Sequence, residues 1–478
     1  MIVMKFGGTS LESAEALTRV ATIISARRSE SPFVVVSAMG KTTNELIAVG
    51  HAAAEANADD AYARLARLRE YHLRESAPAV GAINRIALEE ILETHFRALS
   101  ALIDRIAAAR TVDPVNADDL ASFGERLSSQ IVTLVLKHAG MNAHHLDARQ
   151  LIVTDARHTR ATPLARETYS RIANAVELLP PQSIPVMAGY VGATEQGITT
   201  TLGRGGSDFS AAIAGAALNA NEIQIWTDVD GMLTCDPRLV PDALRIKMLS
   251  FSEAAELAYF GAKVLHPATL LPAMEKNIPV RVLNSRRPDG AGTRIVADRV
   301  PSTSVIKCVA CKRGITVVDI RSTRMLMAHG FLKNIFEVFD RYETPVDMLA
   351  TSEISVSLTI DDSRHLEAIC DEVRPYADIS AESGQAIVCV VGDNLRSTPR
   401  VAARVFGALN EIPVRMISQG ASRLNVSFVV AESDATRATQ LLHEEFFAEP
   451  DPEVFDVIEK VDVVERVKEV EKVKATAQ

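Results

Sequence analysis

The fold is decided by the opening stretch Ile2-Val3-Met4-Lys5-Phe6-Gly7-Gly8-Thr9-Ser10. Its apolar run predicts a buried strand, and the two glycines end that strand. Thr9 or Ser10 is expected to cap a helix over residues 11–27. A second β-branched run, Phe33-Val34-Val35-Val36-Ser37, follows. Continuous rather than alternating apolar strands are typical of a parallel sheet with helices on both faces.

This alternation of strands and helices continues through the first three hundred or so residues. A helical block is predicted over residues 45–110 and a helix over residues 118–139. Further strands are predicted at 151–153, 184–188, 222–226 and 280–283. We therefore expect one α/β domain with a mainly parallel sheet over residues 1–295.

The rhythm changes after a Gly- and Pro-rich stretch at residues 287–292. Strands at 315–320, 345–349 and 354–360 and helices at 331–342 and 365–374 give the order β-α-β-β-α. A similar order follows, with strands at 386–391, 413–417 and 424–430 and helices at 401–411 and 434–446. The repeat predicts two ferredoxin-like modules, at residues 313–385 and 386–450. A charged tail, 451–478, is expected to be a marginal helix or a frayed end.

Composition limits the possible functions. The 478 residues are 47% hydrophobic and 23% charged, which is typical of a folded globular protein. The net charge of −10 argues against a large nucleic-acid surface. No apolar stretch is long enough to cross a membrane, and five cysteines are too few for a disulfide framework. We expect a cytoplasmic protein without nucleic-acid or membrane partners.

Three segments carry candidate chemistry. Glycines and a helix start after Lys5 could hold an anion, although Gly-Gly is also common in ordinary turns. The loop Gly203-Arg204-Gly205-Gly206-Ser207-Asp208 combines mobile backbone with charge, and a flexible surface loop is the weaker interpretation. The stretch Thr227-Asp228-Val229-Asp230-Gly231 follows a strand, where ligands bind in open α/β sheets. It is not an EF-hand, because the closing Glu is absent.

These segments together resemble those of the aspartate kinases of the amino-acid-kinase superfamily. The opening stretch, Val36-Ser37-Ala38-Met39-Gly40, Phe123-Gly124-Glu125-Arg126-Leu127 and Phe260-Gly261-Ala262-Lys263-Val264 are similar to the family's motifs, in the family's order. The paired modules resemble ACT domains, which bind amino-acid effectors. The resemblance implies a three-layer kinase domain, and it implies that the strand at 303–312 completes the second ACT module.

The implied reaction converts ATP and L-aspartate into 4-phospho-L-aspartate and ADP with Mg²⁺. It is the first step toward lysine, threonine and methionine. The substrate carboxylate is already ionised, so positioning and charge neutralisation should dominate catalysis. No dedicated protein metal site is expected.

The resemblance also implies roles for individual residues. The implied catalytic residues are Lys5, Arg204 and Asp208. The implied aspartate contacts are Ser37, Thr43, Glu125, Arg204 and Ser207. The implied nucleotide contacts are Lys5, Gly7, Gly8, Thr227, Asp228, Arg238 and Lys263. Leu233 departs from the Tyr that related enzymes often carry, which puts one adenine or ribose contact in doubt.

Regulation is implied by the paired modules. The effector contacts would be His329, Gly330, Phe331, Leu332, Asp347, Ser352 and Glu353. Their pattern most resembles lysine-sensitive forms, and plain β-α-β packing is the alternative explanation. Paired modules also imply a homodimer, because their sheet edges need covering.

Two other functions stay open at this point. A related kinase could use another acid acceptor, although Glu125 with Arg204 favours a free α-amino acid. The chain could also be a catalytically silent amino-acid sensor, against which the intact Lys5, Glu125, Arg204 and Asp208 argue. Cys308 and Cys311 have zinc-ligand spacing, but without a second ligand pair nearby they are expected to be structural.

Overall fold

The structure is a computed structural model and describes residues 1–260, 267–297, 305–322 and 329–457. The chain divides into two compact units. The N-terminal unit comprises Met1–Met232 and Met248–Pro301, and the C-terminal unit comprises Leu233–Lys247 and Ser302–Gln478. The segment Leu233–Lys247 thus groups with the C-terminal unit, which the predicted domain limit of residues 1–295 does not anticipate.

The elements are numbered in chain order. The strands are β1 (Ile2–Phe6), β2 (Pro32–Val36), β3 (Ala143–Leu146), β4 (Val153–Thr154), β5 (Ile184–Ala188), β6 (Val191–Thr194), β7 (Thr199–Thr201), β8 (Glu222–Thr227), β9 (Arg245–Ile246), β10 (Met248–Ser250), β11 (Val280–Asn284), β12 (Thr293–Val296), β13 (Ile306–Arg321), β14 (Leu349–Thr351), β15 (Ser355–Ile360), β16 (Asp378–Gly392), β17 (Met416–Gln419), β18 (Asn425–Ala431) and β19 (Phe455–Asp456). The helices are α1 (Ala14–Ala26), α2 (Thr42–Ala54), α3 (Ala58–Val80), α4 (Arg85–Ala109), α5 (Pro114–His138), α6 (Ala148–Leu151), α7 (Ala165–Glu177), α8 (Gly206–Leu218), α9 (Phe251–Phe260), α10 (Leu271–Glu275), α11 (Phe331–Arg341), α12 (Leu366–Val373), α13 (Val401–Leu409) and α14 (Ala435–Phe447).

The N-terminal unit is built on an eight-stranded sheet in the order β10-β12-β11-β8-β1-β2-β5-β3. Neighbouring strands are parallel except for the β11–β12 pair. Every residue of β1 and β2 is buried, which confirms the predicted burial of these strands on both faces. A second, three-stranded sheet runs β4-β6-β7. The α/β class with a mainly parallel sheet is therefore confirmed.

The first helix begins later than predicted. Residues Gly8–Ser10 form a short 3₁₀ turn, and α1 starts at Ala14. Its cap is Ser13, whose side chain accepts a hydrogen bond from the amide of Ala16 at 3.2 Å. The predicted capping by Thr9 or Ser10 is wrong, because the Ser10 hydroxyl instead donates to the Ser285 hydroxyl at 2.8 Å.

Three predicted strands are shifted. Leu151 ends α6, so the strand predicted at 151–153 begins only at Val153. The strands predicted at 345–349 and 413–417 begin at Leu349 and Met416. Both predicted segments carry a proline near their start, and proline has no N–H to give to a sheet ladder. Strands β3, β6, β7, β9, β10 and β12 were not predicted.

The C-terminal unit is built on a six-stranded sheet in the order β14-β15-β13-β16-β18-β17. All of its pairs are antiparallel. The long strands β13 and β16 pair along most of their length, and Ile306 lies opposite Gly392 while Arg321 lies opposite Asp378. The C-terminal half of β13 also pairs with β15, and the C-terminal half of β16 also pairs with β18. Two joined ferredoxin-like modules require this arrangement. The limits 313–385, 386–450 and 303–312 stay predictions.

The described start of the predicted tail is a strand. Phe455 pairs with Ile246 and Asp456 with Arg245, so β19 and β9 form a small antiparallel sheet. Neither a helix nor a frayed end describes residues 451–457, and the rest of the predicted tail lies outside the described residues. In the parts of the chain that the structure describes, no helix has the length and apolar character needed to cross a membrane.

Candidate active site

The loops after three parallel strands meet at one edge of the large sheet. Phe6 lies opposite Val36 on one side and Trp226 on the other, so β1, β2 and β8 end level with each other. The amide of Gly7 donates to the carbonyl of Trp226 at 3.0 Å, and the amide of Ser37 donates to the carbonyl of Phe6 at 3.0 Å. The sheet thus brings together segments that are far apart in the sequence.

One glycine of the opening stretch is required by close packing. A Cβ on Gly8 would lie 2.8 Å from the carbonyl oxygen of Gly40 and 2.9 Å from that of Ala38. No side chain fits there without moving the backbone. Gly7 is less restricted, since its Cβ would lie 3.6 Å from Lys5 Nζ, an ordinary contact.

Lys5 and Asp208 form a nearly buried ion pair at this edge. Lys5 Nζ lies 2.7 Å from Asp208 Oδ1, and the two side chains are 11% and 12% exposed. Lys5 is on β1, and Asp208 is in the first turn of α8. Removing either charge from such a pair leaves the other poorly solvated, so the pair fixes the position of both groups.

The pair lies in the wall of a cavity of about 680 Å³, which we call the Lys5–Asp208 cavity. Its wall contains all the residues that the resemblance assigns to catalysis or to aspartate, namely Lys5, Ser37, Thr43, Glu125, Arg204, Ser207 and Asp208. The other lining residues are Asn44, Ile47, Thr159, Tyr190, Gly203, Gly205 and Gly206. A single cavity therefore combines residues from β1, the end of β2, α2, α5, the loop before α8 and the first turn of α8.

Glu125 is a buried carboxyl with spare hydrogen-bonding capacity. It is 5% exposed, and burial raises its pKa from about 4.5 to about 8, although the amide of Ala38 and the charge of Lys5 oppose that shift. Its Oε2 has no hydrogen-bond partner among the described residues. A cation brought to this carboxyl would lower its pKa and supply the missing partner.

Arg204 has the opposite character. Its side chain is exposed, and it forms no hydrogen bond or ion pair with another residue that the structure describes. It lies between Gly203 and Gly205, which both have positive φ, at 76° and 72°. The loop thus presents a guanidinium in the cavity wall, where it is available to a carboxylate.

Seven cavity residues had no predicted role. Gly203, Gly205 and Gly206 belong to the loop singled out from the sequence, and the other four are Asn44, Ile47, Thr159 and Tyr190. Asn44 directly follows Thr43, an implied aspartate contact, and this adjacency was a usable signal. Thr159 and Tyr190 reach the wall through positive φ angles of 69° and 66°. Neither residue type suggests such a conformation, so the sequence held no signal for them.

The predicted nucleotide contacts are distributed more widely. Gly7, Thr227 and Asp228 lie beside Lys5 at the same sheet edge, where the Thr227 hydroxyl donates to the Asp228 carboxylate at 3.2 Å. Arg238 belongs to the C-terminal unit, and its exposed guanidinium pairs with Asp236. Lys263 lies outside the described residues.

The predicted effector residues lie in the C-terminal unit. Phe331 and Leu332 begin α11, directly after the exposed His329 and Gly330. Asp347 is only 4% exposed in its side chain and lies 2.7 Å from Lys312 Nζ, which also pairs with Asp361 at 2.8 Å. Ser352 hydrogen-bonds with Ser355 at 2.6 Å, and Glu353 is exposed.

The side chains that could bind a metal ion are scattered in the described part of the chain. The described residues contain no group of three or more His, Cys, Asp or Glu side chains able to hold a metal ion. All five cysteines are free, and burial raises the pKa of the Cys308 thiol well above its usual value. A protonated, buried thiol suits packing rather than zinc binding.

Comparison with known proteins agrees with this geometry. Residues 1–284 match the amino acid kinase family, and residues 388–446 match an ACT domain. The chain is 38% identical to aspartokinase 1, chloroplastic, of Arabidopsis thaliana, over 94% of this chain and 80% of that protein. It is 36% identical to lysine-sensitive aspartokinase 3 of Escherichia coli, over 94% of this chain and 99% of that protein.

A solved structure gives the same result. The crystal structure of E. coli aspartokinase III in complex with aspartate and ADP superposes with a TM-score of 0.81 and 34% identity, covering 94% of this chain and 100% of that one. The chain therefore belongs to the amino acid kinase family and, within it, to the aspartokinases, enzymes that phosphorylate a carboxylate acceptor with ATP.

Proposed function

We propose that the Lys5–Asp208 cavity is where the chain transfers the γ-phosphoryl group of ATP to the β-carboxylate of L-aspartate. The products are 4-phospho-L-aspartate and ADP. The observation that carries this proposal is the presence, in one wall, of three features: a buried carboxyl, Glu125, whose Oε2 has no hydrogen-bond partner among the described residues; the exposed guanidinium of Arg204, which pairs with no other described residue; and the Lys5–Asp208 pair.

These charges complement a free α-amino acid. Arg204 can hold the α-carboxylate through its planar fork, and Glu125 can hold the α-ammonium. The hydroxyls of Ser37, Thr43 and Ser207 lie in the same wall and can donate to the remaining oxygens. With both α-groups held, the β-carboxylate is the group left to approach Lys5.

Phosphoryl transfer then needs no general base, because the attacking carboxylate is already ionised. Lys5 would neutralise charge on the transferring group, and Asp208 would hold Lys5 in place. Gly7, Gly8, Thr227, Asp228, Arg238 and Lys263 are proposed as the nucleotide contacts. Mg²⁺ fits a site without a protein cage, because this ion is commonly held by one or two carboxylates together with the substrate phosphates, and Asp208 or Asp228 could supply such an oxygen.

Acceptor specificity tests the proposal. Coupled ADP release should be supported by L-aspartate and not by N-acetyl-L-aspartate, which has no ammonium for Glu125. Arg204→Lys should raise KM for aspartate roughly tenfold and leave KM for ATP nearly unchanged, since one point charge replaces a bidentate contact. The matched control is Arg166→Lys, at another exposed arginine. Equal activity with the acetylated acid, or an unchanged KM in Arg204→Lys, would contradict the assignment.

The regulatory proposal is feedback inhibition by free L-lysine through His329, Gly330, Phe331, Leu332, Asp347, Ser352 and Glu353. Its support is the similarity to a lysine-sensitive relative and the buried carboxylate of Asp347. The aspartate-dependent reaction should be assayed with lysine, threonine and methionine, singly and in pairs. Inhibition by threonine or methionine alone, without an effect of lysine, would contradict it.

The proposed assembly is a homodimer formed through the C-terminal unit. Strands β14 and β17 are the edges of the six-stranded sheet, and each exposes an apolar side chain, Leu349 and Ile417. Exposed edges of this kind favour pairing with a second chain. Light scattering should give twice the chain mass, and Leu349→Lys should lower it. A monomeric wild-type protein at micromolar concentration would contradict the proposal.

A further inference from the structure

We infer that Asp118 is a positioning residue that fixes the two loops forming the aspartate side of the Lys5–Asp208 cavity. This inference deepens the proposed function and rests on it, because it presumes that the cavity binds aspartate. Asp118 is not itself in the cavity wall and had no predicted role. It lies near the start of α5, the helix that carries Glu125.

The Asp118 carboxylate is buried and accepts hydrogen bonds from two distant segments. It is 1% exposed. The Nδ1 atom of His158 lies 2.7 Å from Asp118 Oδ2. The amide nitrogen of Thr159 lies 3.0 Å from each of the two carboxylate oxygens. The Thr201 hydroxyl donates to Oδ1 at 2.5 Å. One carboxylate therefore joins the loop at residue 159 to the end of β7.

Both segments lead directly into the cavity wall. Thr159 lines the cavity, and Thr201 comes just before the loop with Gly203 and Arg204. The amide of Ala161 donates to the carbonyl of Thr201 at 2.9 Å. A Cβ on Gly203 would lie 3.3 Å from the carbonyl oxygen of Thr159, so the two loops pack closely.

The backbone at these loops is strained. Thr159 has a φ of 69° and Tyr190 a φ of 66°, and both residues line the cavity. A β-branched residue such as threonine adopts positive φ only at a cost, so surrounding contacts must hold it. The Asp118 carboxylate holds the amide of Thr159 itself. The amide of Leu202, the residue after Thr201, donates to the carbonyl of Tyr190 at 2.9 Å, which links the second strained residue to the same segment.

The consequence is specific to one substrate. Losing the Asp118 acceptor should let Thr159 relax toward negative φ and displace the adjoining Gly203–Arg204 loop. Arg204 would then meet the α-carboxylate of aspartate in the wrong position, whereas Lys5, on the rigid strand β1, would not move. KM for aspartate should therefore rise more than KM for ATP.

The test compares Asp118→Asn with Asp119→Asn, the same change at the next residue of α5. The Asp119 carboxylate is 30% exposed and makes only distant ion pairs, at 3.5 and 3.8 Å, with Arg126 and Arg105. Asp118→Asn should raise KM for aspartate roughly tenfold, with KM for ATP changed less than about twofold, because hydrogen bonds to a charged acceptor are lost. Asp119→Asn should leave both values near wild type.

A second experiment relieves the backbone strain at Thr159. Glycine tolerates the φ of Thr159 without cost, so Asp118→Asn/Thr159→Gly should recover part of the lost aspartate affinity. If Asp118→Asn does not fold, as judged by thermal melting, Thr201→Val removes one hydroxyl of the network and should raise KM for aspartate on its own. A KM for aspartate within twofold of wild type in folded Asp118→Asn, or in Thr201→Val, would overturn the inference.

The proposed function fails in a different way. If Asp118→Asn raises KM for ATP and leaves that for aspartate unchanged, the inference is overturned together with the assignment of the cavity to aspartate. If Arg204→Lys raises KM for aspartate and Asp118→Asn does not, only the positioning role fails. Absence of rescue by Thr159→Gly would overturn the strain argument.

Discussion

Each unit of the chain contains a lysine paired with a poorly exposed aspartate at 2.7 Å, Lys5 with Asp208 and Lys312 with Asp347. The surroundings of the two pairs differ. Around Lys5, the same cavity wall holds Glu125, whose Oε2 has no hydrogen-bond partner in the described part of the chain, and the exposed Arg204. Around Lys312, a second carboxylate, Asp361, shares the ammonium at 2.8 Å.

The two pairs therefore differ in what a ligand would meet. Groups that can still accept a partner surround the Lys5–Asp208 pair, whereas the charges around Lys312 already offset each other. On the proposed function, substrates that enter the Lys5–Asp208 cavity supply partners for Glu125 Oε2 and Arg204, which have none there among the described residues. A ligand ammonium that approaches Asp347 must instead displace the ammonium of Lys312. On the proposed regulatory role, the chain's own lysine side chain competes with free lysine for the same carboxylate.

The largest expected effect is at Lys5. Lys5→Ala should lower kcat about a thousandfold, because a preorganised charge beside the transferring phosphoryl group is lost. Aspartate-dependent ADP release measures it, with Lys137→Ala at an exposed lysine as the control. Folding should be checked by thermal melting, and binding of free lysine should persist. Turnover within tenfold of wild type in a folded variant would remove Lys5 from the mechanism.

The next effect is a pH dependence caused by Glu125. Burial raises the pKa of this carboxyl to about 8, so in the free enzyme it is largely protonated at pH 7. In its proposed role, Glu125 must lose that proton to pair with the substrate ammonium. KM for aspartate should therefore fall about tenfold per pH unit between pH 6 and 7 and level off above about pH 8.

Glu125→Gln should remove this pH dependence, since an amide does not titrate in that range. The exposed Glu89→Gln serves as the control. The same raised pKa affects the stability of the fold. The contribution of protonated Glu125 to the free energy of unfolding is fully present below about pH 4.5 and is lost as the pH rises through about 8. A wild-type KM that is flat from pH 6 to 8 would show that Glu125 does not bind the ammonium.

A smaller effect is expected at Lys312. Lys312→Gln removes the internal competitor, so free lysine should inhibit at a concentration roughly fivefold lower than in wild type, an effect of about 1 kcal/mol. Asp347→Asn should have the opposite effect and weaken inhibition. The measurement is the half-inhibitory concentration of lysine at fixed aspartate. Weaker inhibition in Lys312→Gln would mean that Lys312 supports the effector site rather than competing with the effector.

The smallest effect is expected at Asp361, the more exposed carboxylate around Lys312, with 38% of its side chain accessible. Asp361→Asn should change lysine sensitivity by less than about twofold, because exposed ion pairs contribute little. A shift as large as that of Asp347→Asn would indicate that the two carboxylates act as one site.

Local patterns predicted the parts of the fold that depend on local chemistry. Ile2–Phe6 is a strand as predicted, because four of its five side chains are apolar and all five residues are buried. The start of α1 was missed because Ser10 is engaged by Ser285, a residue 275 positions away. The length of β13 was missed because its sixteen residues are stabilised by pairing with β16 rather than by local propensity.

The candidate site also contains residues that local sequence predicts and residues that only long-range contacts determine. Lys5, Glu125 and Arg204 stand in motifs of short spacing, and the structure brings them to one cavity. Asp118, Thr159 and Tyr190 matter through long-range hydrogen bonds and positive φ angles, which no residue pattern encodes. The pairing of Lys312 with both Asp347 and Asp361 likewise joins residues that are 35 and 49 positions apart in the sequence.

The most direct test is a crystal structure of the chain with L-aspartate, Mg²⁺ and a non-hydrolysable ATP analogue. We expect the α-carboxylate on Arg204, the ammonium on Glu125, and the terminal phosphate of the analogue within hydrogen-bond distance of Lys5 Nζ. Aspartate bound elsewhere, or a terminal phosphate remote from Lys5, would contradict it.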